Sequence, residues 1–154
     1  MRVLVAYERS GVVRRAFAAL GHDAWSVDLQ PAADNSATHH QGDAIAFAKA
    51  NQWDLVTAHP PCTYLSVSGL HWNGRIAGRQ AKTDEALAVV AWWLTFPMLT
   101  EAPMRLCVEN PVGLIGSRIR PADQYIQPYW FGHDASKRTG LWLADLPTLR
   151  SDPS

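Results

Sequence analysis

The segment His59-Pro60-Pro61-Cys62 places a thiol directly after an apolar stretch that is typical of a buried strand. The two prolines fix the backbone direction without adding side chains to a core, which favours chemistry over packing for this cysteine. A second segment, Val108-Glu109-Asn110-Pro111, places a carboxylate at the end of another apolar strand. A thiolate adds to electrophilic ring carbons, and a carboxyl group stabilises charge that develops on a ring nitrogen. The two segments therefore predict nucleophilic chemistry on a planar heterocycle such as a pyrimidine.

The apolar segments alternate between strand-like and helical patterns along the chain. Strands are predicted over residues 2–7, 24–29, 54–58, 105–108 and 140–143. A helical pattern starts at Ser10-Gly11 and runs to Leu20, and further helices are predicted over residues 44–51 and 79–102. Short helical crossovers between buried strands indicate a parallel sheet with right-handed connections. The expected fold is α/β and Rossmann-like, with a mostly parallel, doubly wound sheet in one domain over residues 1–146, followed by a polar C-terminal tail over residues 147–154.

Two predicted loops, residues 59–78 and 110–138, are long for a compact domain, and such loops are usually functional. Each follows the carboxyl end of a strand, where open α/β sheets bind ligands. Basic and aromatic side chains are interleaved in this part of the chain, which suits binding of phosphates and stacking of an extruded base. Alternatively, the aromatic rings only pin the long loops to the domain. The candidate substrate-binding residues are Pro61, Ser66, Trp72, Asn110, Arg118, Arg120, Trp130, His133 and Lys137.

The composition excludes several other classes of protein. The 154 residues include 14 basic and 14 acidic side chains, so any contact with nucleic acid must be a local patch. The longest apolar stretch, residues 86–99, is shorter than the ~20 residues of a membrane span. Two cysteines form no disulfide framework, and no secretory signal pattern opens the sequence, so we expect a cytoplasmic protein without membrane contact. Five of the seven tryptophans are predicted to be in the core, and Trp72 and Trp130 to face a ligand.

With these segments in this order, the chain resembles the cytosine-carbon-5 DNA methyltransferases, particularly short phage-type members, over about residues 2–146. The run from Val3 to Gly11 is similar to the family's first cofactor motif. Asp28 matches the acidic residue that holds the cofactor ribose, and Gly42-Asp43 is similar to the position that contacts the adenine. The resemblance implies the class I methyltransferase fold and S-adenosylmethionine as cofactor. The cofactor-binding residues that it implies are Tyr7, Glu8, Ser10, Gly11, Asp28, Asp43 and Pro60.

Pro61-Cys62 matches the family's nucleophile motif, and Glu109-Asn110 matches its Glu-Asn motif. The resemblance implies that Cys62 adds to carbon 6 of cytosine and that Glu109 is the partner of the ring nitrogen. It also implies that Arg138, in Lys137-Arg138, is the basic residue near the base, although Arg118-Ile119-Arg120 is an alternative match to that basic motif. DNA would be bound as a duplex with a flipped cytosine or as a single strand. The chain keeps one glycine of the cofactor loop and has no separate target-recognition domain. Recognition of a target DNA sequence would therefore come from the two long loops, from a partner chain or from a second copy of this chain. Otherwise the enzyme would have little preference for DNA sequence.

Other enzyme classes fit the sequence less well. A zinc deaminase needs a second cysteine three residues after Cys62, where Leu65 stands, and no other cluster has metal-ligand spacing, so no metal is expected. The Walker lysine loop of ATPases is also missing. Two alternatives remain. In an exocyclic-amino DNA methyltransferase, His59-Pro60-Pro61-Cys62 would be a distorted form of the Pro-Pro-aromatic turn, and the chemistry would not need the thiol. A non-catalytic nucleic-acid-binding module would have kept the fold and lost the cofactor.

Overall fold

The structure, a computed structural model, describes residues 1–131 and 137–150 and contains one seven-stranded mixed sheet flanked by helices. The strands in chain order are β1 (Arg2–Ala6), β2 (Asp23–Asp28), β3 (His39–Gln41), β4 (Leu55–Ala58), β5 (Arg105–Pro111), β6 (Gln124–Ile126) and β7 (Thr139–Ala144). The α-helices are α1 (Val12–Ala19), α2 (Ala44–Lys49), α3 (Arg79–Leu99) and α4 (Leu114–Arg118). Short 3₁₀ helices cover Val67–Trp72 and Pro128–Phe131.

The strand order across the sheet is β3-β2-β1-β4-β5-β7-β6. Strands β1 to β5 run parallel to their neighbours, and the order reverses between β1 and β4. Strand β7 lies between β5 and β6 and runs antiparallel to both. The α/β class and the mostly parallel sheet predicted from the sequence are confirmed.

Helices cover both faces of the sheet, which explains why β1 is apolar at every position from Val3 to Ala6. Leu4 and Ala6 join the larger core beneath α2, α3 and α4, whereas Val3 and Val5 join the smaller core beneath α1. All four side chains are fully buried, as expected for a strand inside a parallel sheet. Tryptophans predicted to be in the core are buried or pack against it, and Trp72 and Trp130, predicted to face a ligand, are exposed.

Three short elements lie in segments that the sequence pattern assigns to loops. The third strand, His39–Gln41, is polar and pairs with β2 through its backbone, so hydrophobic periodicity does not reveal it. Helix α4 and strand β6 lie within residues 110–138. The polar tail stays attached as far as Leu149, whose backbone exchanges two hydrogen bonds with the Gln124 amide at 2.6 and 2.8 Å. No helix in the described ranges is long and apolar enough to cross a membrane.

Candidate active site

The carboxyl ends of β4 and β5 bring His59 and Glu109 together. The two strands are adjacent and parallel, with Ala58 opposite Val108, so the next residue on each side also lies in register. His59 Nδ1 is 2.8 Å from Glu109 Oε2, and about a third of each side chain is exposed. The sequence predicts a role for Glu109 but none for His59. The signal that could have found it is its position one residue beyond β4, equivalent to that of Glu109 relative to Val108.

The turn that carries Cys62 is fixed to β5 by a buried asparagine. The Asn110 side chain is 1% exposed and donates a hydrogen bond from Nδ2 to the Pro60 carbonyl at 2.8 Å. The Cys62 carbonyl accepts the backbone N–H groups of Leu65 and Ser66, both at 3.0 Å, which closes a tight turn. The Cys62 side chain itself is half-buried. Cys62 and Glu109 therefore share the carboxyl edge of two neighbouring strands, the geometry that the predicted chemistry needs.

The loop after β5 also supports this turn. Ser66 and Gly113 form an isolated antiparallel bridge, and the Leu114 N–H donates to the Leu65 carbonyl at 2.9 Å. A Cβ on Gly113 would overlap the Leu65 carbonyl group, approaching its carbon to 2.7 Å. Glycine is therefore required here because two backbones come into direct contact.

Helix α3 holds the other side of the turn. Arg79 Nη2 donates to the Thr63 carbonyl at 3.1 Å, and the buried Thr83 hydroxyl donates to the Tyr64 carbonyl at 3.0 Å. The charged groups of Arg79 and Lys82 lie 4.9 and 5.6 Å from the centre of the Tyr64 ring. Residues 63 and 64 are thus anchored on the helix.

An open cleft of about 480 Å³ lies beside this turn, where the strand order reverses between β1 and β4. Its lining includes Tyr7 after β1, Asp43 and Ile45 at the start of α2, and Pro60 and Pro61 after β4. The Tyr7 backbone is left-handed, with φ of 64°, and its hydroxyl accepts a hydrogen bond from Trp93 Nε1 at 2.9 Å. Burial raises the pKa of the Tyr7 phenol, and the Asp43 charge adds to this, so the ring stays neutral at physiological pH.

Three of the predicted cofactor-binding residues, Tyr7, Asp43 and Pro60, line this cleft. Glu8 does not point to it, because its carboxylate binds the chain's own helix. The side chain is 7% exposed, and its two oxygens accept the N–H groups of Val13 at 2.7 Å and Arg14 at 3.2 Å. Ser10 Oγ donates to the same carboxylate at 3.3 Å. Glu8 therefore fills the amino end of α1, a position that favours an anion.

The remaining predicted cofactor residues, Gly11 and Asp28, serve local structure in the described part of the chain. Gly11 has φ of 77°, and a Cβ there would come within 2.6 Å of Asp34 Oδ2, so glycine makes room for an ion pair between Asp34 and the buried Arg14. Hydrogen bonds from Arg14 and then Arg15 lower the pKa of Asp34 from 3.8 to about 2. Asp28 accepts the backbone N–H of Gln30 at 2.9 Å.

The predicted substrate-binding side chains divide into exposed and structural groups. Trp72 and Trp130 are 43% and 42% exposed, and Pro61, Arg118 and Lys137 are exposed as well. The Arg138 guanidinium group lies 4.3 Å from the centre of the Tyr125 ring, and its carbonyl accepts the Val112 N–H beside the end of β5.

Arg120 is occupied elsewhere, because it binds Asp123 at 3.0 Å and the Leu143 carbonyl at 3.4 Å, a link between β6 and β7. The other basic segment, Lys137-Arg138, is attached beside the end of β5 through the hydrogen bond between Val112 and Arg138. The prediction for His133 lies outside the described residues.

The second cysteine differs from Cys62 in its surroundings. Cys107 lies within β5, and burial, with a contribution from the Glu109 charge, raises the pKa of its thiol to about 12. It stays protonated at neutral pH and lacks the thiolate that nucleophilic attack requires. The interpretation of Cys107 as a packing residue is consistent with this environment.

No protein-family model matches the chain, and no curated protein is significantly similar to it. Within residues 1–131 and 137–150, no group of three or more His, Cys, Asp and Glu side chains is placed to hold a metal ion. A second cleft of about 330 Å³ lies at the amino ends of β4 and β5, between Trp53 and Phe96, away from the predicted site. The carboxyl edge of the sheet therefore remains the place where the chemically active side chains meet.

Proposed function

We propose that the protein is a DNA methyltransferase that transfers a methyl group from S-adenosylmethionine to carbon 5 of cytosine through a covalent adduct on Cys62. One observation carries this proposal. The Cys62 turn and Glu109 lie on adjacent parallel strands, joined by the 2.8 Å bond between Asn110 and the Pro60 carbonyl. A thiol and a carboxyl group on one edge can approach a flat ring from two sides, as addition to a pyrimidine requires.

The residues of the chain would act in a defined order. The Cys62 thiolate adds to carbon 6 of cytosine, and the Glu109 carboxyl group gives its proton to ring nitrogen 3, so that carbon 5 becomes nucleophilic. S-adenosylmethionine, when bound, supplies the electrophilic methyl group that carbon 5 attacks. Loss of the carbon 5 proton to solvent then expels the Cys62 thiolate, and Glu109 recovers its proton from the ring nitrogen.

The cleft fits the cofactor that the proposal requires. A volume of about 480 Å³ is within the range of small-molecule sites, roughly 300–1,000 Å³. Tyr7, Ile45 and Pro60 offer flat or apolar surfaces for an adenine ring, and the Asp43 carboxylate can accept its amino group. The position of the cleft, where the strand order reverses, supports a Rossmann-like nucleotide fold of the class I methyltransferase type.

DNA as the substrate is supported by the exposed side chains around this edge. Trp72 and Trp130 can stack on bases, and the exposed Arg75, Arg118 and Lys137 can contact phosphates. A cytosine must leave the duplex before carbon 6 can be attacked, so a flipped base or a single strand is required. We place this activity in the cytoplasm, where DNA and cofactor are both present.

The decisive experiment combines product analysis with trapping. Protein, DNA of mixed sequence and S-adenosylmethionine labelled in the methyl group are incubated, and the digested nucleosides should carry the label in 5-methylcytosine. DNA with 5-fluorocytosine should form a covalent adduct at Cys62. Cys62→Ala should lose activity by about 10⁴-fold or more, whereas the matched control Cys107→Ala should retain it. Label on an exocyclic amino group, or trapping that persists in Cys62→Ala, would refute the proposal.

A non-catalytic nucleic-acid-binding module is the second candidate, and the position of Glu8 favours it. This carboxylate fills the amino end of α1, where the acidic part of a cofactor could otherwise bind. Isothermal titration with S-adenosylmethionine separates the two candidates. Saturable heat supports the enzyme, and DNA binding with no cofactor heat supports the module.

A further inference from the structure

We propose that His59 is a positioning residue for this reaction, which orients Glu109 and stabilises the charge that develops on its carboxylate. The inference rests on the proposed function, because it concerns the carboxyl group that serves the cytosine ring. It starts from the 2.8 Å distance between His59 Nδ1 and Glu109 Oε2. A glutamate at a partly exposed strand end has several rotatable bonds, and this contact selects one orientation.

The surroundings of His59 favour a role on Glu109 over a structural role elsewhere. Its backbone N–H donates to the Ala6 carbonyl at 3.1 Å, which fixes the start of the turn between β1 and β5. Its second ring nitrogen, Nε2, is buried and has no hydrogen-bond partner within the described residues. The ring therefore makes its side-chain hydrogen bond through Nδ1 alone, and that bond is to the carboxyl group of Glu109.

Besides Cys62, the side chains of Cys107 and Arg138 belong to segments that adjoin this pair. Cys107 precedes Glu109 by two positions on the same face of β5, and its thiol stays neutral, because burial raises its pKa to about 12. Arg138 stands beside the end of β5 and places its guanidinium group over the Tyr125 ring. Neither group takes the place of His59 on the carboxylate.

The contact becomes stronger as the reaction proceeds. The proposed step starts from Glu109 with a proton on Oε1, while Oε2 accepts a neutral hydrogen bond from the His59 Nδ1–H. When the thiolate adds to carbon 6, the proton passes from Oε1 to ring nitrogen 3, and the same N–H then binds a charged carboxylate. Charge-assisted hydrogen bonds are roughly twice as strong as neutral ones, so the transition state gains more than the ground state. The proton returns to Oε1 when the thiolate leaves, and His59 keeps its own throughout.

The test measures the rate of Cys62 adduct formation on DNA containing 5-fluorocytosine with S-adenosylmethionine. His59→Leu removes the donor and should slow the reaction by about 10²-fold to 10³-fold. His59→Asn keeps an N–H near the place of Nδ1 and should stay within about tenfold of the wild type. In Glu109→Gln the side chain has no carboxyl proton to release, so no charge develops for His59 to stabilise. Adding His59→Leu to this variant should therefore lower the rate of adduct formation by less than about threefold.

Each outcome decides the role of His59. The inference would be overturned if the rate losses of the two single variants multiply in the double variant, or if His59→Leu reacts within about threefold of the wild-type rate. Either result would leave the proposed function intact. An equal loss in His59→Asn and His59→Leu would also overturn it. If His59→Leu folds poorly, a loss of more than about tenfold in His59→Asn overturns the inference on its own. Absence of any adduct in the wild type would instead refute the proposed function, and the role of His59 with it.

Discussion

The turns that follow β1 and β4 meet at the point where the strand order reverses, yet they satisfy their polar groups in opposite ways. After β1, the Glu8 carboxylate accepts its hydrogen bonds from Ser10 and from the first turn of α1, directly after it in the chain. After β4, the carbonyl groups of residues 60, 63 and 64 are bound by side chains of β5 and α3. The acidic side chain of the first turn is thus bound by residues that directly follow it, whereas the backbone of the second turn is held by side chains of other elements.

This difference explains which functional groups each turn can present. Because distant elements hold the backbone of the β4 turn, the side chains of His59 and Cys62 need not stabilise it and stand at the edge of the sheet. In the β1 turn the Glu8 carboxylate is occupied by hydrogen bonds from the first turn of α1. The catalytic half of the proposed site thus retains its geometry, whereas the cofactor half departs from a glycine-rich loop.

The largest effect is expected from Gly113→Ala, which breaks the support of the β4 turn. The new methyl group would overlap the Leu65 carbonyl, and overpacking of this kind costs about 1–3 kcal/mol in the free energy of unfolding. Displacement of the turn should also lower methyl transfer by about 10²-fold, as expected when a reacting group is misplaced by about 1 Å. Denaturant unfolding and the labelled-methyl assay measure the two effects.

Gly74→Ala is the matched control for this variant, because a Cβ at Gly74 meets nothing within 4 Å. It should unfold and react like the wild type. If Gly113→Ala also behaves like the wild type, the β4 turn does not depend on the loop after β5, and the contrast between the two turns fails.

A smaller effect is expected from Glu8→Ala, which breaks the β1 turn. Two helix N–H groups lose their acceptor, and an unsatisfied buried donor costs about 1–3 kcal/mol. The affinity for S-adenosylmethionine should not fall, and we expect it to rise, because the freed amino end of α1 can receive an anion. Thermal unfolding and isothermal titration test this. A large loss of affinity at unchanged stability would show that Glu8 binds the cofactor directly.

The smallest effect concerns Asp34, which ties the loop before β3 to α1. Arg14 and Arg15 hold its pKa at about 2, below the ordinary 3.8, so the ionised form is favoured in the folded state. Its contribution to stability is therefore complete above about pH 4 and disappears as the pH falls towards about 2. The melting temperature of Asp34→Asn should lie below that of the wild type at neutral pH, and the gap should close in acid. A gap independent of pH would contradict this.

Much of the sheet could be predicted because its central strands are buried on both faces. Residues 3–6 form a continuous apolar run and residues 54–58 are mostly apolar, and the predicted strands over 2–7 and 54–58 are β1 and β4 with small changes at their ends. The polar strand His39–Gln41 gave no such signal, because its side chains are polar although its backbone pairs with β2. Strand β5 continues through Glu109 and Asn110 to Pro111, since β7 supplies a partner for each of these residues.

The order of residues along the chain determined which groups are available: a thiol after one buried strand, a carboxylate after another, and a single glycine, Gly11, in the loop after the first strand. Tertiary structure decided how they are used. The register of β4 and β5 placed His59 on Glu109, and folding of the first turn of α1 directed Glu8 away from the cleft. The physical reason is that composition and periodicity report burial, whereas hydrogen-bond partners distant in sequence are set only when the strands pair.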